Sequence, residues 1–250
     1  MTVQVPASSL SPGEEFAGQP YYEERRLRLY DAVVVKASNR LLWRCPKARL
    51  LGHYNSWISS SHLEVGPGSG YYLDHCRFPT ADPDITLLDL NADPLRFVAQ
   101  RLSRYAPRTR QADVLEPLPD FGGPGFSSIA FNYVLHCVPN PPQGKQLVFK
   151  HLRQALAPGG VLFGSTVLTR GVPHTPVSRA FNRLYQRQGS FHNQLDSVPM
   201  LHDALERYFD WHWLEVRGSV ALFVAKVSPD GADGRGGSVR NAPGGAGGCP

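Results

Sequence analysis

Glu64-Val65-Gly66-Pro67-Gly68-Ser69-Gly70 closes the short apolar run Ser61-His62-Leu63-Glu64-Val65 and leads into Tyr71, Leu73 and Asp74. A strand that ends on clustered glycines and resumes as a helix marks a ligand-binding turn, because open α/β sheets bind ligands where loops leave the carboxyl ends of their strands. Glycines remove side chains from that turn and permit positive φ, so a ligand can lie against the backbone. The helix N-terminus beyond offers unpaired N–H groups that suit a carboxylate. The spacing separates possible ligands. A dinucleotide turn reads G-x-G-x-x-G, but here the third glycine arrives one residue early, at Gly70, and Tyr71 stands where that pattern needs glycine. Glu64 would repel a pyrophosphate and attract an ammonium. A ligand with an amino-acid end and an adenosine end suits this loop better.

Outward from the loop, strand and helix patterns alternate. Asp84 to Leu90 is an apolar run of strand length, and Asp93-Pro94 has the chemistry of a helix start, a capping carboxylate before proline. Leu95, Val98, Ala99, Leu102 and Tyr105 then recur at helical spacing. Arg110 to Val114 predicts a brief strand and Ser127 to Val134 a central one. A helix through Val148, Leu152 and Ala155 should stop at Ala157-Pro158-Gly159-Gly160, before a strand over Val161 to Val167. Trp211 to Arg217 and Val220 to Val227 read as a hairpin turning at Gly218-Ser219. This order predicts a doubly wound α/β domain. It has about seven strands, mostly parallel, an antiparallel C-terminal hairpin, and helices on both faces.

An acidic residue followed by G-x-G-x-G resembles the first motif of class I S-adenosylmethionine (SAM)-dependent methyltransferases. The resemblance runs from about Tyr30 to Val227. Leu88-Asp89-Leu90-Asn91 ends the second strand, and the resemblance implies that Asp89 binds the two ribose hydroxyls. Asp113-Val114 is similar to the pair beside the adenine. Phe131-Asn132-Tyr133-Val134-Leu135-His136 looks like the fourth-strand motif. Leu156-Ala157-Pro158-Gly159-Gly160 resembles the segment that leads into the fifth strand. The family thus implies a SAM cofactor, with S-adenosylhomocysteine (SAH) as product. The implied cofactor site is Glu64, Gly66, Gly68, Gly70, Asp89, Leu90, Asn91, Asp113, Val114, Asn132 and Tyr133. Two departures stand out. Ser127-Ser128 occupies the start of the fourth strand, where the family often has Asp. Asn140-Pro141-Pro142 is followed by Gln143 rather than the aromatic of amide-methylating enzymes, and reads as a turn.

Catalytic residues are less legible. A sulfonium methyl has a good leaving group, so alignment and desolvation carry most of the reaction and a base is needed only where the acceptor holds a proton. His136, His174 and His192 are the general-base candidates, with His202 a fourth histidine to weigh; surface or core roles are the ordinary alternative. Tyr22, Tyr30 and Trp43 are candidates to line an acceptor pocket or, equally, to form the buried face of a helix.

Residues 1–20 read as a flexible leader and 21–227 as the methyltransferase domain. Within it, 21–57 form an N-terminal helical cap and 169–205 a lid insertion; 228–250 are too poor in large apolar residues to order. A net charge of +5 is spread along the chain without a basic arm, so no nucleic acid is expected. Four scattered cysteines give no metal-ligand spacing, so no metal is expected. With no signal peptide or membrane span in view, the expectation is a cytoplasmic monomer or homodimer acting on a small-molecule acceptor. Two other readings stay open: a SAM-fold protein that binds without methyl transfer, and a protein or RNA methyltransferase.

Overall fold

The computed structural model describes residues 42–139 and 142–229. Tyr22, Tyr30, the 1–20 leader, the cap up to residue 41, Asn140-Pro141 and residues 230–250 lie outside the described residues. The chain forms helix α1 (Lys47–Trp57), strand β1 (Ser61–Val65), α2 (Tyr71–His75), β2 (Asp84–Asp89), α3 (Ala92–Arg101), β3 (Arg108–Gln111), β4 (Phe126–Asn132), α4 (Pro142–Gln154), β5 (Leu156–Val167), α5 (Pro176–Arg187), α6 (Val198–Tyr208), β6 (Trp211–Arg217) and β7 (Val220–Lys226). Seven strands make one sheet in the order β3-β2-β1-β4-β5-β7-β6. The β1–β2, β2–β3, β1–β4 and β4–β5 pairs are parallel, and β7 runs antiparallel to both β5 and β6.

Strand alternation sorts side chains onto two faces. Leu63, Val65, Ile129, Phe131, Leu162 and Phe223 join one core with Val148, Phe149 and Leu152 of α4 and Leu201, Ala204 and Leu205 of α6. Ile85, Leu87, Ala130 and Phe163 meet Tyr54 of α1, Leu73 of α2, and Leu95 and Val98 of α3 on the other. Coverage on both faces explains why the central strands read as unbroken apolar runs. The strand order reverses between β1 and β4, which leaves a crevice at their carboxyl ends.

Four boundaries depart from the sequence reading. Helix α3 starts two residues early, with Asn91 as its cap, while Asp93 sits inside the helix and pairs with Arg96. It also ends at Arg101, and Tyr105 belongs to a separate 3₁₀ turn. Strand β3 is Arg-Thr-Arg-Gln, exposed throughout, held by its ladder to β2 and by Arg108 on Asp84 at 2.6 Å; Asp113 and Val114 lie beyond it. Strand β5 begins at Leu156, because Phe126 pairs with Leu156 before a register shift carries Ser128 to Val161. Within 169–205, α6 is a core helix that packs on the sheet.

Candidate functional site

Parallel pairing sets three strand ends side by side. Val65 lies between Leu88 and Phe131, and the Gly66 N–H donates to the Leu88 carbonyl at 2.8 Å. The glycine loop, Asp89 and Asn132 therefore border one crevice. Gly66, Gly68 and Gly70 all have positive φ, at 65°, 55° and 72°. A Cβ on Gly66 would strike Val134 and one on Gly70 would strike Val98, so those two glycines serve close packing. A Cβ on Gly68 would meet nothing within 4 Å, so this glycine faces open space.

The polar groups around that space are under-partnered. Asp89 accepts the Asn91 N–H at 2.9 Å and has no counter-ion among the described residues; burial pushes its carboxyl up to about 6. Asn132 spends its Oδ1 on the Ser165 hydroxyl at 2.8 Å, and its buried Nδ2 finds no partner among the described residues. Such an orphan costs about 1–3 kcal/mol unless a ligand satisfies it. Leu90 beside Asp89 is an exposed large apolar side chain, at 45%. Asp113 caps its own turn on the Leu115 N–H at 2.9 Å, and the Ala112 N–H ties this turn to the Asp89 carbonyl at 3.0 Å. Val114 accepts from His151 Nδ1 through its carbonyl. A carboxylate, an orphaned amide and an open glycine around one crevice fit a ligand with an amino-acid end and a nucleoside end.

Glu64 is buried rather than open, with Oε1 on the Tyr54 hydroxyl at 2.7 Å and Oε2 beside His62 Nε2 at 3.2 Å. Desolvation holds its carboxyl above the usual carboxylate range. Tyr133, at φ 57°, is a strained residue at the tip of β4, of the kind that marks functional turns.

Beyond β4, the 169–197 segment closes over His136. The His192 N–H donates to the His136 carbonyl at 2.7 Å, and Phe191 lies edge-on to the His136 ring at 4.4 Å. A buried ion pair holds the segment there. Lys145 Nζ donates to both Asp196 oxygens at 2.9 Å and to the His192 carbonyl at 3.0 Å. Neither Lys145 nor Asp196 stood out in the sequence. The available signal was a lysine on the apolar stripe Lys145, Val148, Phe149, Leu152 of α4.

The three candidate bases differ. The Val167 N–H points at His136 Nδ1 at 3.3 Å, and an amide can only donate, so Nδ1 is an acceptor and the ring proton sits on Nε2. Burial, with Lys145 adding to it, drives the His136 ring down to about 3, so it stays neutral and is a poor proton acceptor. His192 is the reverse: its Nε2 faces the Gly189 carbonyl at 3.0 Å and must donate, which leaves Nδ1 as the lone pair. His174 Nδ1 meets the Ser178 hydroxyl at 3.1 Å, and its Nε2 is buried without a partner among the described residues. His202 is exposed on α6 beside Asp203 and Glu206. Trp43 is only 4% exposed and packs with Cys45, Leu50, Val167 and Val220, in the bend before α1 rather than on a helix face.

A parallel sheet that reverses at a glycine turn, with a carboxylate on the next strand tip, defines a nucleoside-binding protein of the Rossmann-like class. Residues 63–162 match the model of a methyltransferase domain. The chain is 41% identical over 208 residues to the demethylluteothin O-methyltransferase of Streptomyces thioluteus, covering 83% of this chain and 90% of that one. It is 35% identical over 217 residues to the physcion biosynthesis cluster O-methyltransferase of Aspergillus chevalieri, covering 86% and 96%. The solved complex of DhpI with SAH shares the fold, with a TM-score of 0.60 at 20% identity, covering 85% of this chain and 96% of that one. This chain belongs to the class I SAM-dependent methyltransferases. It is an enzyme that moves a methyl group from SAM to a small-molecule acceptor. No described helix is long and apolar enough to cross a membrane.

Proposed function

We propose that the crevice at the tips of β1, β2 and β4 is the SAM site and that the acceptor atom is an oxygen of a partly apolar, planar specialised metabolite. The observation that carries the cofactor half is the pairing of Asp89, a carboxylate without a counter-ion, with the open face of Gly68 on the neighbouring strand tip. In this reading Asp89 accepts both ribose hydroxyls, and Leu90 and Asn91 flank the sugar. Asp113 and Val114 border the adenine. Gly66, Gly68 and Gly70 let the methionine end lie against the backbone, with Glu64 facing its ammonium and Asn132 and Tyr133 closing the other side. The cofactor supplies an electrophilic methyl on a sulfonium; the protein's own task is to align the acceptor and exclude water.

The acceptor half rests on Tyr133, His136, Phe191 and Tyr185, whose rings form a run at 5.9, 4.4 and 4.9 Å. Such a wall suits a flat, partly apolar molecule. The names of the two relatives favour oxygen as the acceptor atom. Where the acceptor hydroxyl holds a proton, His192 Nδ1 is the base this reading assigns, since its lone pair is not spent within the described structure. Residues 169–197 act as the cover over that pocket. The experiment is direct: incubate the enzyme with methyl-labelled SAM and a panel of phenols and enols. Label should pass to an oxygen of a planar acceptor. Transfer only to amines or to protein would overturn the acceptor assignment, and an Asp89→Ala variant that binds SAH as tightly as the wild type would overturn the cofactor assignment.

A further inference from the structure

Behind the glycine loop, on the α1 face of the sheet, five side chains form one unbroken chain of contacts. Tyr54 donates to Glu64 Oε1 at 2.7 Å, Glu64 Oε2 lies 3.2 Å from His62 Nε2, and His62 Nδ1 lies 2.8 Å from Ser128 Oγ. Ser128 Oγ accepts the Ser59 N–H at 3.0 Å and lies 2.8 Å from Ser59 Oγ. His62, Glu64 and Ser128 are all buried.

Counting protons along this chain decides its charge. The Ser59 hydroxyl has one proton and points it at the Ser61 carbonyl at 2.9 Å, a group that can only accept. Ser128 must then supply the proton of the Ser59–Ser128 contact. It has none left for His62, so His62 Nδ1 carries a proton and donates to Ser128. A neutral ring would now aim the Nε2 lone pair at a carboxylate. The 3.2 Å contact therefore needs one more proton, on Nε2 or on the Glu64 carboxyl. Whichever atom holds it, the His62–Glu64 pair is electrically neutral as a unit.

We propose that His62 is a positioning residue of the cofactor site: it shares one proton with Glu64, and the ammonium end of the cofactor expels that proton to solvent on binding. The proposal rests on Glu64 being the partner of the ammonium. One buried carboxylate can compensate one cation but not two at the same place. Among the described residues, the other groups facing the pair offer no second negative charge. From α1 comes the Tyr54 phenol, held well above its ordinary range by burial; from α2 and the turn after it come Tyr72, stacked on Tyr54 at 5.3 Å, and Cys76, whose thiol burial pushes up to about 12. From β5 and the loop before β2 come only the rings of Phe163 and Phe78. The balance is simple. The shared proton leaves to a buffer base, the ammonium keeps its own protons, and the pair goes from neutral to one negative charge, which the bound ammonium offsets.

Titration calorimetry of the full-length protein with SAH at pH 6.5, repeated in buffers of different ionisation enthalpy, tests this. The binding heat should vary linearly with buffer ionisation enthalpy, with a slope that reports release of up to about one proton per SAH. The His62→Gln variant keeps an amide donor toward Glu64 without a titratable proton. Its buffer slope should fall below that of the wild type, to the fraction of a proton that Asp89, raised to about 6, gives up on binding the ribose. SAH bound with a flat slope in the wild type, or a slope of the same size in His62→Gln, overturns the shared proton and leaves the cofactor site standing. No SAH binding by the wild type overturns both. Should His62→Gln fail to fold, nitrogen NMR of the wild-type His62 ring decides: loss of a ring or carboxyl proton on SAH saturation is expected, and an unchanged protonation state on saturation refutes the proposal.

Discussion

Two buried ion pairs lie under the two halves of the active crevice, and they are built from opposite materials. Under the glycine loop, His62 faces Glu64, and the hydrogen bonds around them leave one proton to the pair. Under the 169–197 cover, Lys145 faces Asp196, and burial pushes the lysine down and the carboxyl up while each charge holds its partner against that shift. The first pair can change charge when a ligand arrives. The second holds by geometry, its three donated hydrogen bonds fixing the His192 carbonyl and the Asp196 loop in one place. In the proposed assignment, the cofactor side thus has adjustable charge, whereas the acceptor side has a long segment pinned by the hydrogen bonds of Lys145.

The sharpest way to break this contrast is to remove Lys145. Lys145→Met leaves Asp196 charged and buried, and should cost about 3–5 kcal/mol in urea unfolding. The double variant Lys145→Met with Asp196→Leu should recover most of that loss, because two apolar side chains replace the pair without a desolvation penalty. If the double variant is as unstable as the single one, the loop is held by something other than this clasp.

Next in size come the glycines. Gly70→Ala must adopt φ 72° and push its methyl into Val98, which together should cost about 2–4 kcal/mol. Gly68→Ala pays the backbone cost alone, about 1–2 kcal/mol, yet its methyl enters the open crevice. The two variants should therefore diverge, Gly70→Ala losing more thermal stability and Gly68→Ala losing more SAH affinity. Equal losses of both in calorimetry and melting would place the cofactor elsewhere.

How much of this was readable in the chain follows from where the constraint lies. The loop from Glu64 to Gly70 and the tips at Asp89 and Asn132 are set by local sequence, because glycine geometry and strand ends are local properties. Strand β3 was misplaced because an edge strand held by arginines shows no apolar alternation. The clasp stayed hidden because its partners are 51 residues apart and their charges read as ordinary surface. Ser127-Ser128 was noticed as a departure, but its meaning lay in His62 on the neighbouring strand, two residues before Glu64 and so on the same face. Non-local pairing of polar groups is what a single chain read in order shows least.

Asp89 gives a smaller effect with opposite signs for stability and binding. Its carboxyl rises from about 4 unfolded to about 6 folded, so the folded state prefers the protonated form. A raised acid is a burden that grows as pH climbs through that window and is relieved below it. Asp89→Asn should accordingly stabilise the ligand-free protein at pH 8 by about 1–2 kcal/mol, allowing for solvent screening, and change little at pH 4. SAH affinity should move the other way, falling about 10- to 100-fold in Asp89→Asn. In the wild type it should fall as pH drops through about 6, where the ribose loses its ionised partner. Melting and calorimetry across pH 4 to 8 would expose a structural rather than binding role if both quantities fell together.

The smallest change tests the adjustable pair from its far end. Tyr54→Phe removes the donor on Glu64 Oε1 and should cost about 1 kcal/mol. That hydrogen bond favours the ionised carboxyl, while burial opposes it. Without the phenol, Glu64 should hold its proton more tightly, so the loss is largest at pH 8 and shrinks toward pH 5, where the protonated acid no longer needs the donor. A cavity alone would give a loss independent of pH, since the missing oxygen carries no charge. Urea unfolding of Tyr54→Phe at the two pH values therefore separates simple packing from a carboxylate whose charge is set by its neighbours, and only the second can release a proton when an ammonium takes its place.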